Sequence, residues 1–147
     1  MTQTLNQFAQ TTEKGMLSEA INSNLFNVRI DPASVATLNG GAPVKIVDVA
    51  GEQIIVDLAT LAADDIWGFL PLGVKTNEFT AGNLTRAAIN LSVMYMEASA
   101  AIARGADLEI VPTGVKVVTN AGGTSIGRAL DKATADGDLI RVLIKTS

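Results

Sequence analysis

The chain lacks cysteine and histidine entirely over its 147 residues. Without cysteine it can form no disulfide bond, thiol nucleophile or thiolate metal ligand. Without histidine it lacks the commonest general base and the commonest metal ligand. Only carboxylate, lysine or serine chemistry would remain open to an enzyme. We predict no catalytic residue, no metal site and no cofactor.

Basic residues are also scarce, with 11 Lys and Arg against 15 Asp and Glu and a net charge of −4. Binding to nucleic acid requires clustered Lys and Arg, and the sequence contains no such cluster. No stretch of about 18 consecutive apolar residues occurs, and the amino-terminal segment lacks the apolar core of a signal peptide. We therefore expect neither nucleic acid nor a membrane as a partner. We expect the protein to be made and kept in a cytoplasm-like compartment, or to leave it without a secretory signal.

The residues that are abundant are aliphatic. Apolar residues make up 48% of the chain but aromatic residues only 4%. A chain of this length forms one ordinary domain and buries roughly 70% of its unfolded surface, so a single core of Val, Ile, Leu and Ala is expected. Branched aliphatic residues favour β structure where they alternate with polar ones.

Residues 1–24 differ from the rest of the chain because they are rich in Thr, Gln, Asn and Ser. Their apolar side chains are isolated, as at Leu5 and Phe8. This composition predicts an extended, partly ordered amino-terminal arm, although the spacing over Met16–Ile21 also permits a helical turn. The β-rich domain is predicted to occupy residues 25–147.

From Leu25 onward, short apolar runs separated by Gly, Asn, Asp and Pro recur about every ten residues, which is typical of a compact antiparallel β-barrel or sandwich. The predicted strands are Asn27–Ile30, Val44–Val49, Gln53–Leu58, Ile66–Leu70, Ala87–Tyr95, Leu108–Val111, Val115–Thr119, Ile126–Leu130 and Leu139–Lys145. A helix competes over Met94–Arg104, where Ala is frequent, but the alternation over Ile89–Tyr95 favours a strand.

Alternate side chains of a strand point to opposite faces. In the last predicted strand, Ile140, Val142 and Ile144 share the core-facing side, and this strand is predicted to close the barrel. In Val44–Val49, the two later valines are predicted to share a face with Lys45.

Several predicted strands also carry an apolar residue on the outward face. These residues are Ile55, Val118 and Leu143. One interpretation is simple exposure, because isolated apolar residues are common on protein surfaces. The other is that a neighbouring subunit covers them, which would contribute roughly 1.5 to 3 kcal/mol for each fully buried side chain.

Three polar segments could suggest chemistry. The segment Asn120–Arg128 is rich in glycine, but it lacks the Lys-Ser/Thr pair and the helix that a phosphate loop requires. The carboxylates of Asp64-Asp65 and Asp136–Asp138 have no further convergent ligands in the sequence, and Asp-Gly is ordinary hairpin chemistry. We interpret the glycines of Asn120–Arg128 and of Asp136–Asp138 as turn positions.

Four groups of residues carry a resemblance to a known family. They are Asp65–Phe69, Thr76–Glu78 with Ala81-Gly82, Val93–Ala98 with Ala101–Ala106, and Ile126–Ala133 with Gly137–Ile144. Together they resemble the capsid cement, or decoration, proteins of tailed bacteriophages over about residues 31–147. The resemblance implies a compact, oligomeric, non-catalytic β domain that binds the outer face of an assembled head after synthesis in the host cytoplasm.

The function implied by this resemblance is that of a virion structural protein that clamps neighbouring subunits of the major capsid protein, most simply as a trimer. The arm would provide a second contact with the capsid. An extended peptide can add a strand to an exposed sheet edge. Leu5 and Phe8 would then be the anchors of the arm.

Two alternatives remain open at this point. The first is a trimeric β-barrel nucleotide hydrolase of the dUTPase kind, which needs a glycine-rich carboxyl-terminal tail over the phosphates. The sequence instead ends on a predicted strand, so no enzyme is expected. The second alternative is a β-barrel interaction module unrelated to viruses.

Overall fold

A computed structural model describes residues 14–18, 24–59, 66–71, 78–111 and 116–145. The predicted anchors Leu5 and Phe8 and the pair Asp64-Asp65 lie outside these residues. The described residues form the strands β1 (Leu25–Ile30), β2 (Leu38–Asn39), β3 (Pro43–Ala50), β4 (Gln53–Leu58), β5 (Gly68–Phe69), β6 (Glu78–Phe79), β7 (Leu84–Ala88), β8 (Val93–Glu97), β9 (Asp107–Val111), β10 (Lys116–Thr119), β11 (Gly127–Ala129) and β12 (Leu139–Ile144). Among them no helix is long and apolar enough to cross a membrane.

Five strands close into a small barrel in the order β1, β4, β3, β5 and β7, with β7 paired back to β1. The prediction of a mainly β fold with an antiparallel barrel is confirmed, with one exception in the pairing. Strands β1 and β4 run parallel, whereas the other neighbours in the barrel are antiparallel. The short strands β2 and β6 pair separately, and the side chains of Leu38 and Phe79 join the barrel core.

The second sheet has five antiparallel strands in the order β10, β9, β11, β12 and β8. Its two outer strands meet, because Ala98 directly after β8 forms a parallel bridge with Val117 of β10. Beside this bridge, Lys116 Nζ lies 3.2 Å from the carboxylate of Glu97. The sheet therefore curls almost into a second barrel.

Each of the two sheets has its own aliphatic core. The barrel core contains Val28, Ile30, Val44, Val56 and Leu70, and the second core contains Met94, Leu108, Ile126, Val142 and Ile144. The two are linked by Phe69 and Ala88, which pair across β5 and β7 but pack into the second core. One face of the barrel wall thus packs against the second sheet.

Residues 14–18 lie along the outer edge of β8, with a turn at residues 14–15 and a bridge from Leu17 to Met94. The amide of Gly15 donates to Tyr95 O, the amide of Tyr95 donates to Met16 O, and the amide of Ser18 donates to Val93 O, each at 2.8 Å. This segment covers backbone groups of β8 that would otherwise form an open sheet edge.

The amino-terminal segment also contacts the barrel through Gly15. A β-carbon at this position would lie 2.6 Å from backbone atoms of Gly40 and Gly41. Such a distance is too short for any side chain, so the backbones approach each other closely here. The boundary of the arm at residue 24 stays a prediction, but residues 14–18 already connect both sheets.

The predicted faces of the last strand agree with the structure, because Ile140, Val142 and Ile144 are fully buried. The prediction that this strand closes the barrel was wrong, however. Strand β12 lies inside the second sheet between β11 and β8, and the barrel is closed by the return of β7 to β1. The physical reason is that β12 is the next strand after β11 along the chain and pairs with it in antiparallel fashion.

The predicted strand Ala87–Tyr95 is also wrong, because a turn at residues 89–92 divides it into β7 and β8. Leu91 takes the left-handed position of this turn with φ at 72°. Glycine or asparagine usually occupies such a position. Asn90 and Ser92 are common turn residues, but because the apolar alternation continues through the turn they also fit the polar face of a strand.

Candidate interaction surface

Exposed apolar side chains are distributed unequally between the two sheets. Large exposed apolar residues on the barrel strands and the loop after β1 are Phe26, Val35, Ile46, Val47, Val49 and Leu84. Those on the second sheet and the turn before it are Leu91 and Leu139. Clustered apolar exposure marks candidate contact surfaces, whereas scattered exposure does not. The barrel is therefore the better candidate for an interaction surface.

Three of these residues belong to one strand, β3. This strand pairs with β4 along its whole length, but with β5 only at Pro43 and Val44. Beside that pair, the amide of Trp67 donates to Val44 O at 2.9 Å. Beyond it, no described residue pairs with β3 on this side. We call residues Ile46–Ala50 the β3 edge.

A β-bulge shapes the β3 edge. Ile46 pairs with Val56, and the next pair is Asp48 with Ile55, so Val47 is an extra residue. Beyond the bulge, Val49 pairs with Ile54.

The bulge makes the predicted face of Val49 wrong. Lys45 pairs with Asp57, and Val49 pairs with Ile54, three residues earlier in β4. Since paired residues share a face and the period is two, Lys45 and Val49 point to opposite faces. The extra residue Val47 caused the error, because simple alternation assumes an unbroken ladder.

Ile46 and Val49 nevertheless remain exposed, although they lie on the core-facing side of β3. Their partner Val56 is fully buried, whereas Val49 is 57% exposed. The cause is the shortness of β5, which contributes two residues and covers only the start of β3.

A groove of about 750 Å³ lies beside the tip of the β3–β4 hairpin. It is lined by Asn27, Val28, Ala50, Glu52, Gln53, Leu84, Thr85 and Arg86. Leu84 is 72% exposed and contributes apolar surface, while Glu52 and Arg86 contribute charge of opposite sign. The groove thus adjoins the β3 edge at Ala50 and is otherwise lined by residues of the hairpin, β1 and β7.

The three predicted subunit-interface residues are all half-buried within the chain. Ile55 lies in the barrel, opposite Asp48. Val118 and Leu143 lie in the second sheet on β10 and β12, which are separated by β9 and β11. The structure thus does not bring the three side chains together, and their cover by another subunit stays a prediction.

The glycine-rich segment after β10 is a turn whose polar groups bind one another. The amide of Gly123 donates to a carboxylate oxygen of Glu109 at 2.9 Å. Asp107 accepts hydrogen bonds from the Ser125 hydroxyl and the Asn120 side-chain amide, which lower the pKa of its carboxyl. Carboxylates at this position would repel a phosphate group.

The Asp136–Asp138 segment is likewise a turn, as predicted, with Gly137 at φ 94°. The Asp138 carboxylate accepts hydrogen bonds from the amide and hydroxyl of Thr134 and from the amide of Ala135, and these bonds lower its pKa. In the described part of the chain, no three acidic residues converge into a metal-binding group.

Sequence reasoning did not identify the β3 edge. The signal available was Ile46-Val47-Asp48-Val49, where two adjacent apolar residues interrupt the alternation. Such an interruption in a strand indicates a bulge, and bulges are frequent at sheet edges and next to functional sites. That β5 pairs with β3 only at Pro43 and Val44 could not be read from the sequence.

The fold is similar to that of a bacteriophage protein of known structure. The crystal structure of the head fiber gp8.5 N base in bacteriophage phi29 matches with a TM-score of 0.52 and 17% sequence identity. The match covers 84% of this chain and 95% of that chain. At this identity the similarity concerns the fold. No protein-family model and no curated protein matches the sequence.

Proposed function

We propose that the protein is a non-catalytic structural component of a phage virion that attaches to the outside of the head. The observation that carries the proposal is the similarity of the fold to the head fiber N base of bacteriophage phi29, which extends over most of both chains. The apolar surface on the barrel supports it, since a protein that works by attachment needs a contact surface and no catalytic group.

The finer part of the proposal is that the protein stabilises the head by bridging neighbouring major capsid subunits as a trimer. Such a bridge acts mechanically, because separation of two capsid subunits requires its contacts with one of them to break. Each contact can be weak, since contacts linked in one trimer raise the overall avidity. Half-burial of Ile55, Val118 and Leu143 in the single chain is compatible with a neighbouring subunit that completes their cover.

Leu5 and Phe8 remain the proposed anchors of the amino-terminal arm on the capsid. The contacts of residues 14–18 with β8 define how this can be tested without damage to the fold. A variant that lacks residues 1–13 keeps those contacts. We expect it to fold normally and to bind heads less tightly than the full chain. Undiminished binding would contradict the role of the arm.

The decisive experiment is co-sedimentation of the full chain with purified phage heads before and after expansion. Saturable binding to expanded heads, together with greater resistance of those heads to heat, is the expected result. Sedimentation of the free chain measures its oligomeric state in the same buffer. Absence of binding to either form of head, or turnover of nucleotides by the pure protein, would contradict the proposal.

A further inference from the structure

We propose that the β3 edge, Ile46–Ala50, receives an extended segment of the capsid surface as an added strand. The inference rests on the proposed attachment to a phage head and specifies the surface through which attachment occurs. The partner segment is apolar at the residues that face this edge and carries Lys or Arg beside them.

The backbone of the β3 edge is available for pairing. All five of its residues are exposed, and among the residues that the structure describes, Ile46, Asp48, Val49 and Ala50 pair with β4 alone. The amide of Val49 donates to the carboxylate of the preceding Asp48 at 2.8 Å. This hydrogen bond is local to the edge and does not pair it with another strand. An unpaired strand edge of this kind can bind an extended peptide through main-chain hydrogen bonds.

The outer strands of the second sheet, in contrast, already have partners. Residues 14–18 cover β8, and Ala98 pairs with Val117 on β10. The exposed side chains of Ile46, Val47 and Val49 add apolar contact area to the backbone groups of the β3 edge. On the barrel, exposed apolar side chains therefore coincide with a strand side that pairs with no other described strand.

Charge favours a partner from outside this chain. Asp48 and Glu52 are exposed near the tip of the hairpin. A second copy that paired antiparallel about the centre of the edge would bring two Asp48 carboxylates together, which is unfavourable. Residues 1–13 contain no Lys or Arg to pair with them. A segment with basic residues on the head surface satisfies these carboxylates.

The bulge at Val47 also favours a specific partner. A bulge bends a strand and increases its local twist, which hinders flat edge-to-edge pairing between identical strands. A partner segment must follow that twist in order to pair. The bulge thus disfavours aggregation while the edge stays exposed.

The test compares two valine-to-lysine variants in co-sedimentation with expanded heads. Val49→Lys places a cation on the β3 edge, whereas Val35→Lys places one on a fully exposed valine in the loop after β1. We expect Val49→Lys to weaken binding about tenfold or more, because the charge must lose water against an apolar, basic partner. Val35→Lys should bind as the unchanged chain does. Equal binding by all three proteins, or an equal loss in both variants, would overturn the inference.

A second measurement needs no variant of the edge. Backbone amides that gain hydrogen-bond acceptors exchange their hydrogens more slowly. We expect exchange at residues 46–50 of the unchanged chain to slow on head binding, and unchanged exchange there would overturn the inference. If the unchanged chain does not bind heads at all, the proposed function itself fails. These outcomes separate the two proposals.

The role of charge is tested with Glu52→Gln. Its control is Asp136→Asn, which neutralises an acid in the turn before β12 of the second sheet. Glu52→Gln should weaken head binding several-fold at low salt and less at high salt. Asp136→Asn should leave the affinity unchanged. A loss that is equal for both, or absent for Glu52→Gln, would exclude a basic partner at this edge.

Discussion

The barrel and the second sheet are built from similar aliphatic strands, but their boundaries differ. In the second sheet, one outer strand is covered by residues 14–18, and its two outer strands are bridged at Ala98 and Val117. In the barrel, the short strand β5 leaves the β3 edge without a neighbour among the described residues. A closed barrel can therefore still contain a strand that is covered along only part of its length. The length of the closing strand decides which residues remain accessible.

The surface chemistry of the two regions follows the same division. The second sheet carries salt bridges from Lys116 to Glu97 and Asp136 and from Arg141 to Asp131. The barrel instead exposes several large apolar side chains on and beside β3. We infer that the second sheet provides stability and the barrel provides contact.

Gly127→Ala should be the most damaging single change in the second sheet. Gly127 lies in β11 with φ at 153°, and a β-carbon there would overlap Leu143 O on the adjacent strand. Together the backbone strain and the overlap should lower the free energy of unfolding by about 3 kcal/mol or more. Urea denaturation measures the loss.

The matched control is Gly137→Ala in the turn before β12. Gly137 also has a positive φ, but a β-carbon there meets open space. It should cost only about 1 kcal/mol, the usual cost of a left-handed non-glycine residue. Equal losses at the two positions would show that packing between β11 and β12 is not the cause.

Removal of residues 1–18 should open the edge of β8 and make the second sheet resemble the barrel. Three backbone hydrogen bonds and the contact of Leu17 with the second core are lost. We expect a loss of about 2 kcal/mol in the free energy of unfolding, because each hydrogen bond contributes about 0.5 to 1.5 kcal/mol. The open edge should also cause concentration-dependent association, measured by sedimentation. Removal of residues 1–13 is the control and should have neither effect.

The salt bridge between Asp131 and Arg141 should make stability depend on pH in acid. Arg141 donates to Asp131 through Nε at 2.9 Å and through a terminal nitrogen at 2.8 Å. These bonds lower the pKa of Asp131 from 3.8 to about 2. Since the folded pKa is the lower one, the contribution is complete above about pH 4 and is lost as the pH falls towards 2.

Asp131→Asn removes this titration. The contribution is about 1 to 2 kcal/mol, because solvent screens a pair that is about one third exposed. The difference in unfolding free energy between the unchanged chain and Asp131→Asn should therefore shrink between pH 5 and pH 2. A difference that is constant over this range would contradict the role of the pair.

Leu91→Gly should have the smallest effect and the opposite sign. Leu91 has a positive φ and is 62% exposed, so its side chain adds strain and little burial. Glycine relieves the strain and should raise the free energy of unfolding by roughly 0.5 kcal/mol. In Leu139→Gly the same replacement affects a strand residue and should lower stability. Thermal unfolding of both variants at one pH distinguishes these outcomes.

Strand prediction succeeded where alternation was uninterrupted. The bounds of β4 agree with the prediction at both ends, and the buried residues of β12 were correctly identified. In both strands one face packs against a core, so the period of two is visible in the sequence. The arrangement of strands was less accessible, because the parallel pairing of β1 with β4 depends on contacts distant in the sequence.

The candidate surface could be predicted only in part. Sequence reasoning identified apolar residues on outward faces, but it selected Ile55, Val118 and Leu143, which are half-buried. The β3 edge depends on where β5 ends and on a bulge at Val47, and both result from pairing rather than composition. Likewise, pairing of residues 14–18 with β8 follows no strong local pattern, because the segment is short and its two apolar residues, Met16 and Leu17, are adjacent rather than alternating.

The bulge at Val47 has a consequence for chain length. Ile46 pairs with Val56, and Asp48 pairs with Ile55, so the residues on both sides of Val47 already face consecutive positions of β4. Deletion of Val47 would leave a regular ladder in which all other pairs keep their partners. The hairpin can therefore lose one residue, or regain it, without a shift of the rest of the barrel. Among related proteins, a one-residue difference in length at this point is compatible with an unchanged fold.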